Sequence, residues 1–301
     1  MAMPQLRTVT IPVLPGDRPR DDELDLFGLT HPGKVRRENQ DHFLLATLHR
    51  QMMVHGTSLP DSEWLQRPSQ RLATIMLVAD GVGGGVGGGE ASRLAAETVA
   101  RYTRGAMQCF HTAGTANEHE FHAALSAAAL EAHEVVRTEA EGRGEAIGQP
   151  GARGFATTLT LAIAVWPWMY VVQVGDSRCY RYWDGVLRQV TRDQTVAQEL
   201  VDQGVLPREN ASTSPLSNVL ASAIGGHEAK PETTVLDIPT GCVVLLCSDG
   251  LTKHVHDTEI AEQIRGMTSS EQVCRSLVDL ALERGGTDNI TVIVARARKP
   301  A

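Results

Sequence analysis

The apolar run Ile75-Met76-Leu77-Val78-Ala79 ends in Asp80-Gly81. It has the length and composition of a buried strand, and such a strand carries its last side chain to the rim of a sheet. Three further segments combine an apolar run with an aspartate. In residues 171–177 and 243–250 the aspartate follows the run, and in residues 285–294 it precedes the run. The sequence therefore predicts four rigidly supported carboxylates at sheet edges.

The other three aspartates of this pattern are Asp176, Asp249 and Asp288. An aspartate followed by glycine or asparagine is an ordinary turn signal, so any one of them alone indicates only a turn. Four carboxylates from distant parts of one chain can instead meet at a single point. Converging hard oxygen ligands are what Mg²⁺ or Mn²⁺ requires, so the joint pattern favours a divalent-cation site.

Composition narrows the class of protein. The 301 residues suffice for one large or two small domains, and 42% apolar with 21% charged residues is typical of a soluble globular chain. A net charge of -8 without a dense Lys/Arg block argues against nucleic acid as a partner. Five cysteines without CxxC spacing indicate a reducing cytoplasm, not a disulfide framework. No signal peptide is predicted, because residues 1–7 lack its long apolar core, and no membrane helix is predicted, because Pro167 interrupts the longest apolar stretch.

Strands that follow one another in sequence, with helices in pairs, indicate an α+β fold of antiparallel sheets covered by helices. Residues 1–23, which carry prolines and then charges, are predicted to form a loose N-terminal arm. Thr268 and Glu271 predict a capping box for a helix over residues 270–284. The short helix and Pro- and Ser-containing tail of residues 193–216 predict a mobile flap.

The glycine run after Asp80 allows a second interpretation, because Gly83, Gly85 and Gly88 formally satisfy GxGxxG. A dinucleotide site also needs an acidic residue about 20 positions later, at the end of a second strand. Two predicted helices intervene there instead, and no Lys-Ser/Thr follows the glycines as in a phosphate-binding loop. Nucleotide binding is therefore the weaker alternative to a turn that presents a metal ligand.

A cluster of histidines could indicate zinc: His111, His119, His122 and His133. No HExxH pattern places a carboxylate base between them. We interpret them as surface residues of the second predicted helix.

Seven short motifs then occur in an order that is typical of one family: Gly33–Asp41, Asp80–Gly84, Ala156–Thr158, Gly175–Arg178, Thr191–Asp193, Ser248–Leu251 and Gly286–Thr291. In their order and spacing they resemble the metal-dependent protein serine/threonine phosphatases of the PP2C (PPM) family, in its compact bacterial form. The resemblance covers about residues 24–297, which would form a single phosphatase domain.

This resemblance implies a four-layer αββα sandwich, in which two antiparallel β-sheets pack face to face between outer helices. It also implies a binuclear Mn²⁺ or Mg²⁺ site at one end of the sandwich. By position, Asp80 would bridge the two metals and Gly81 would offer its carbonyl oxygen. Asp249 and Asp288 would hold the first metal.

Three further roles follow from the resemblance. Asp41 would support the second metal directly or through water, and Asp176 matches the position of a third, weaker metal. Arg36 matches the arginine that grips the substrate phosphate, for which a guanidinium fork is well suited. A metal-bridged hydroxide, available near neutral pH, would attack phosphorus without a phosphoenzyme.

The chain departs from the family pattern at several positions. Gln40 stands where many relatives carry glutamate, Val82 replaces a histidine proposed as general acid, and Gln194 replaces a common histidine. Thr252-Lys253 replaces a frequent tryptophan. None of these changes removes a predicted bridging or first-metal ligand, so activity is expected.

The resemblance implies phosphoserine and phosphothreonine in proteins as substrates, and a cytoplasmic serine/threonine kinase and its targets as partners. We expect a monomer with no membrane or nucleic-acid partner. Two alternatives stay open: a catalytically silent binding module, and a phosphatase for a regulatory protein of the anti-anti-sigma type.

Overall fold

The structure is a computed structural model. It describes residues 18–50, 70–82, 87–112, 118–144, 154–211 and 213–298. Most of the predicted arm and residues 83–86, which include Gly83 and Gly85 of the GxGxxG pattern, lie outside the described residues, and so do the side chains of His111 and His119.

The structure contains eleven strands and six α-helices among its described residues. The strands are β1 (Leu24–His31), β2 (Asp41–Arg50), β3 (Gln70–Val82), β4 (Ala156–Thr157), β5 (Leu159–Val165), β6 (Trp168–Val174), β7 (Arg178–Trp183), β8 (Val186–Gln189), β9 (Glu232–Asp237), β10 (Val243–Cys247) and β11 (Ile290–Ala297). The helices are α1 (Gly87–Thr112), α2 (Glu118–Gly142), α3 (Val196–Asp202), α4 (Asp249–Thr252), α5 (Asp257–Arg265) and α6 (Ser270–Glu283).

The strands form two sheets. One has the order β1-β11-β10-β7-β8, and the other has the order β2-β3-β5-β6-β9 with the short β4 paired to β3. Every strand pair among the described residues is antiparallel. Two of these pairs, β5–β6 and β7–β8, are hairpins in which consecutive strands are joined by a short turn.

Three apolar layers hold the sheets and helices together. α1 and α2 pack on the outer face of the β3 sheet, and α5 and α6 pack on the outer face of the β10 sheet. A third cluster, which includes Met76 and Leu246, fills the space between the sheets. The predicted four-layer αββα sandwich is confirmed.

Alternation along β3 decides which way its terminal aspartate points. Leu77 and Ala79 face the helices, whereas Met76 and Val78 face the opposite sheet. Side chains two residues apart share a face of a strand. Asp80 therefore continues the inner row and directs its carboxylate into the space between the sheets.

The helix predicted over residues 270–284 is present as α6, but its cap differs from the expected one. The N-cap is Ser269, whose side chain accepts a hydrogen bond from the Gln272 backbone N–H at 3.1 Å. Thr268 lies one residue too early, and its carbonyl accepts from Arg296 instead. The predicted Thr268 capping box is therefore wrong by one residue.

Residues 18–23, the described end of the predicted arm, lie against β3. Arg71, which is only 7% exposed, pairs with the Asp21 carboxylate and donates to the Pro19 carbonyl. The boundary between arm and domain at residue 24 stays a prediction. No helix among the described residues combines the length and apolarity needed to cross a membrane.

Candidate metal centre

Both sheets end at the same cleft, which has a volume of about 150 Å³. Its walls carry four aspartates, and each comes from a different element or turn: Asp80, Asp176, Asp249 and Asp288. The four carboxylates predicted at sheet edges are thus brought together. Gly81 and Arg36 also line this cleft.

Asp41 lies behind the cleft and joins the two sheets. It stands directly opposite Asp80 in the β2–β3 ladder and is 3% exposed. From the other sheet, the Ser248 and Thr291 hydroxyls donate to Asp41 Oδ2 at 2.8 and 2.7 Å. The second oxygen, Asp41 Oδ1, is buried and has no hydrogen-bond partner. The carboxylate is therefore held in place with one acceptor atom uncommitted.

Asp80 is fixed through its backbone. Its N–H donates to the Thr158 hydroxyl at 3.0 Å, and its carbonyl accepts from the Thr157 hydroxyl at 2.8 Å. The next residue, Gly81, permits a close approach, since a Cβ there would lie 2.4 Å from the Gly88 carbonyl oxygen. Only glycine fits between the end of β3 and the start of α1.

Two cationic side chains contact Asp249 and Asp288, and one of them, Lys253, bridges the pair. Lys253 Nζ lies 2.6 Å from Asp249 Oδ2 and 2.8 Å from Asp288 Oδ2. Arg36 binds Asp288 through both carboxylate oxygens, with each N–O distance at 2.9 Å. Arg36, which is predicted to bind the substrate phosphate, thus forms an ion pair with a predicted metal ligand. The Arg36 side chain is 40% exposed.

Asp176 lies on a turn that is held by Gln194. Gly175 has a φ of +104°, which favours glycine, and its N–H donates to Gln194 Oε1 at 2.9 Å. The Gln194 backbone N–H donates back to the Gly175 carbonyl at 3.0 Å. The residue that replaces the family's common histidine therefore positions the turn that carries Asp176.

Burial and mutual repulsion raise the pKa of most of these carboxyls. For Asp80 the pKa lies well above the ordinary value, first because of burial and then because of Asp41 and Asp249. Burial also raises the pKa of Asp41 to about 6, although the two hydroxyls oppose it. Carboxylates that repel one another in a partly buried site require compensating positive charge.

The pKa values of the remaining three carboxyls differ according to their contact with the Lys253 and Arg36 side chains. Burial, followed by the charge of Asp249, raises the pKa of Asp176 well above its usual range. Burial raises the pKa of Asp249 as well, against the opposing charge of Lys253. Burial would also raise the pKa of Asp288, but hydrogen bonds and charge from Lys253 and Arg36 hold it below the ordinary value.

The donor set fits divalent metal ions. All the predicted ligands are oxygens, which suit Mg²⁺ or Mn²⁺. Asp41 Oδ1 and Asp249 Oδ1 are buried acceptors without a donor, and a cation would satisfy them. No three carboxylate, imidazole or thiolate groups in the described ranges are arranged to hold an ion as they stand. Two of the predicted ligands, Asp249 and Asp288, contact Lys253, and Asp288 also contacts Arg36.

The histidine cluster does not form a site within the described part of the chain. His122 contacts Thr233, and His133 accepts a hydrogen bond from the Gly225 N–H. The two side chains therefore serve separate packing contacts. The prediction that these histidines are surface residues is wrong for His133, which is 6% exposed because it packs against the loop at Gly225, and His122 is half-buried.

The residues that orient the carboxylates could not be assigned from the sequence. Asn289 accepts from the Gln40 N–H and donates to the Pro32 and Glu38 carbonyls, which ties the loop that bears Arg36 to β11. Asn289 and Ser248 lie inside the motifs Gly286–Thr291 and Ser248–Leu251. Each is adjacent to a predicted metal ligand, Asp288 or Asp249, and this is the signal that could have indicated a supporting role.

The fold and the cleft together place this chain among αββα sandwich proteins with an aspartate-lined site between two sheets. The chain belongs to the protein phosphatase 2C family, whose profile matches residues 55–283.

Two curated relatives show the extent of the similarity. Serine/threonine protein phosphatase PstP of Mycobacterium tuberculosis is 34% identical over 223 residues, which are 74% of this chain and 40% of PstP. Serine/threonine phosphatase stp of Listeria monocytogenes is 31% identical over 221 residues, which are 73% of this chain and 83% of that protein. The chain thus spans well under half the length of PstP and most of the length of stp.

A solved structure of the PstP catalytic domain is a complex with two manganese ions. It is 27% identical to this chain, with a TM-score of 0.65, and the match covers 92% of this chain and 99% of that one.

Proposed function

We propose that this chain hydrolyses phosphoserine and phosphothreonine in proteins with a binuclear Mn²⁺ or Mg²⁺ site. The observation that carries the proposal is the convergence of Asp80, Asp249 and Asp288 from three separate elements on one cleft. Family membership and the two serine/threonine phosphatase relatives support the same reaction.

The ligand assignment is part of the proposal. Asp80 would bind both metals, and Gly81 would offer its carbonyl oxygen. Asp249 and Asp288 would bind the first metal, and Asp41 would support the second directly or through water. Asp176 would serve a third, weaker ion. The two manganese ions bound by the PstP catalytic domain support two ions here. When bound, such ions neutralise phosphate charge and lower the pKa of water to about 7.

Arg36 would bind the substrate phosphate. Its guanidinium lies on the cleft wall and is exposed enough to turn from Asp288 toward a ligand. A phosphate dianion accepts two parallel N–H bonds from an arginine fork, which fixes its orientation. Val82 also lines the cleft and offers no proton, so no side chain at that position would protonate the leaving group.

Residues 193–216 would act as a flap that influences substrate choice. The described part of this segment contains α3 and the short 3-10 turn Arg208–Asn210, and a second 3-10 turn, Pro215–Asn218, begins at its end. A β-bridge between Thr195 and Leu220 closes its base. Asn218 and Leu220 line the cleft, so movement of the segment would change the cleft's mouth.

We further propose that the protein works in cytoplasmic signalling, opposite a serine/threonine kinase, and as a monomer. Four cysteines are free and buried among the described residues, which suits a reducing compartment. Size-exclusion chromatography with light scattering tests the monomer.

The first experiment measures phosphate release from a phosphothreonine peptide in excess Mn²⁺, in EDTA, and with Asp249→Asn. Asp279→Asn, a change at an exposed position of α6, is the matched control. We expect activity that EDTA and Asp249→Asn abolish and that Asp279→Asn retains. A folded, Mn²⁺-loaded protein without activity would favour the binding-module alternative. Activity that survives both EDTA and Asp249→Asn would overturn the metal mechanism.

A further inference from the structure

Lys253 lies between two predicted ligands of the first metal. Its ammonium group is 2.6 Å from Asp249 Oδ2 and 2.8 Å from Asp288 Oδ2, and its side chain is 30% exposed. These two carboxylates come from α4 and from the turn before β11. A single amino group thus bridges the elements that the first metal would bridge.

The local backbone directs Lys253 to this position. Lys253 is the C-cap of α4, and its N–H donates to the Asp249 carbonyl at 2.8 Å. Residues four apart lie on the same side of a helix, so the lysine side chain reaches back over the aspartate. Its ammonium is therefore tethered beside Asp249 by the covalent chain.

We propose that Lys253 is a built-in counter-cation that occupies the position of the first metal and must move aside before the metal binds. This inference rests on the metal site of the proposed function. It assigns to Lys253 two effects: it stabilises the metal-free protein, and it weakens binding of the first ion.

The charges of the cleft explain both effects. Asp80, Asp249 and Asp288 repel one another when no metal is present, and Lys253 reduces that repulsion. A metal ion and the ammonium cannot both contact Asp249 Oδ2 at close range without repulsion. The apparent affinity for the ion is then reduced by the fraction of molecules in which the lysine has moved away.

Arg36 does not substitute for Lys253 in this role. Its contacts are with Asp288 only, and they leave Asp249 to Lys253 alone. Asp249 Oδ1 has no hydrogen-bond partner, so Lys253 is the cation that neutralises this carboxylate among the described residues. Removal of the Lys253 charge should therefore act mainly on the metal that Asp249 holds.

The test is Mn²⁺ titration calorimetry on the full chain after chelator treatment, at one neutral pH. We expect Lys253→Met to lower the Kd for Mn²⁺ about tenfold, as when a competing state that holds nine molecules in ten is removed. Lys253→Arg keeps the charge and should bind Mn²⁺ as weakly as the wild type. Lys230→Met, a change at an exposed lysine paired with Glu228, is the matched control and should leave the Kd unchanged.

Thermal unfolding supplies the second readout. In EDTA, Lys253→Met should unfold at a lower temperature than the wild type, and saturating Mn²⁺ should reduce or reverse the difference. If Lys253→Met does not fold without metal, Lys253→Gln takes its place, since it keeps the polarity and loses the charge.

The outcomes separate this inference from the proposed function. Equal Mn²⁺ affinity in wild type and Lys253→Met would overturn the role of Lys253 and leave the metal site standing. Weaker binding in Lys253→Met would show that the lysine assists the site, which also overturns the inference. A wild type and variants that bind no Mn²⁺ at all would overturn the metal site itself.

Discussion

Single residues decide the geometry of the cleft because each carboxylate is held by groups from another element. Asp41 is the clearest case, since hydroxyls of the opposite sheet bond one of its oxygens and leave the other uncommitted. Asp41 could be named from its motif. Its partners Ser248 and Thr291 could not, because that contact depends on how the two sheets face each other.

Arg36 is expected to contribute through its fork as well as through its charge. Arg36→Ala should lower kcat/KM for a phosphopeptide by about 10- to 100-fold, the loss of hydrogen bonds to a charged group. Arg36→Lys should recover only part of this, because an ammonium cannot bind phosphate through two parallel bonds. Steady-state kinetics in saturating Mn²⁺ would measure both variants.

The neighbouring Arg37 provides the control. It is exposed and lies next to Arg36 in the same loop. Arg37→Ala should leave kcat/KM close to that of the wild type. A loss equal to that of Arg36→Ala would indicate that the loop attracts substrate by general positive charge, against a specific role for Arg36.

Gly250 is needed where α4 approaches the turn before β11. A Cβ there would lie 1.9 Å from the Asn289 carbonyl oxygen, so backbone must move to admit it. Gly250→Ala should lower the free energy of unfolding by about 1–3 kcal/mol, as other overpacked sites do. Urea denaturation would measure this change.

Gly105 makes the matched comparison for that substitution. It lies in α1, and a Cβ there would meet no atom within 4 Å. Gly105→Ala should raise the free energy of unfolding by about 0.5–1 kcal/mol, because alanine favours the helix. The prediction for Gly250 is wrong if both alanine variants change stability in the same direction.

At the scale of strands and helices, much of the fold could be predicted from the sequence. The apolar runs that end in aspartate are the strands β3, β6 and β10 of the structure. Whether apolar residues alternate with polar ones or form a continuous run is a local property of a strand, so it can be recognised from the sequence alone. Helix ends were less predictable, as the cap at Ser269 shows, because several neighbouring hydroxyls could serve as the cap.

The position of Lys253 could not be predicted in this way. The sequence shows only that it replaces a frequent tryptophan. Its contact with Asp288 joins residues 35 apart in sequence, and it exists because α4 and the turn before β11 meet at one sheet end. Long-range contacts between side chains of this kind follow from sheet order, which local patterns do not contain.

α2 is attached to the loop that precedes β9 through a buried histidine. The Gly225 N–H donates to His133 Nδ1 at 3.0 Å, and burial lowers the pKa of His133 below its ordinary value. The folded protein therefore favours the neutral ring, which can accept this bond. The unfolded chain takes up a proton near pH 6.5, so this contribution to stability is present above that pH and is lost as pH falls.

We therefore expect the Tm of His133→Gln to fall less than that of the wild type between about pH 7.5 and about pH 5.5, which lie on either side of the histidine pKa. At the higher pH, the variant should have the lower Tm, because it lacks the hydrogen bond from Gly225. Glu134 and Arg137 are the nearby charges acting on this ring, and both stay in the variant. His227→Gln, which removes an exposed imidazole, is the control. Scanning calorimetry at the two pH values would refute the assignment if His133→Gln and the wild type lost the same number of degrees.

For the whole molecule, the cleft lies where two sheets end, and its carboxylates come from both. Asp41 and Asp80 belong to the six-stranded sheet, whereas Asp249 and Asp288 adjoin strands of the five-stranded one. Ions bound there would connect the halves of the sandwich at an end where carboxylates now repel one another. Metal binding should therefore raise the free energy of unfolding of the whole domain, and its effect should not be confined to the residues of the cleft.

This predicts a global increase in stability with Mn²⁺. A ligand that binds only the folded state at 100 times its Kd adds about 2.7 kcal/mol to the free energy of unfolding. For a domain of this size, that corresponds to an increase in Tm of about 5–10 °C. Differential scanning fluorimetry of the wild type in EDTA and in increasing Mn²⁺ would measure it. Asp279→Asn should respond like the wild type, whereas Asp249→Asn should show little increase because it lacks a ligand of the first metal. An equal response in Asp249→Asn and the wild type would mean that Mn²⁺ stabilises the protein from somewhere other than this cleft.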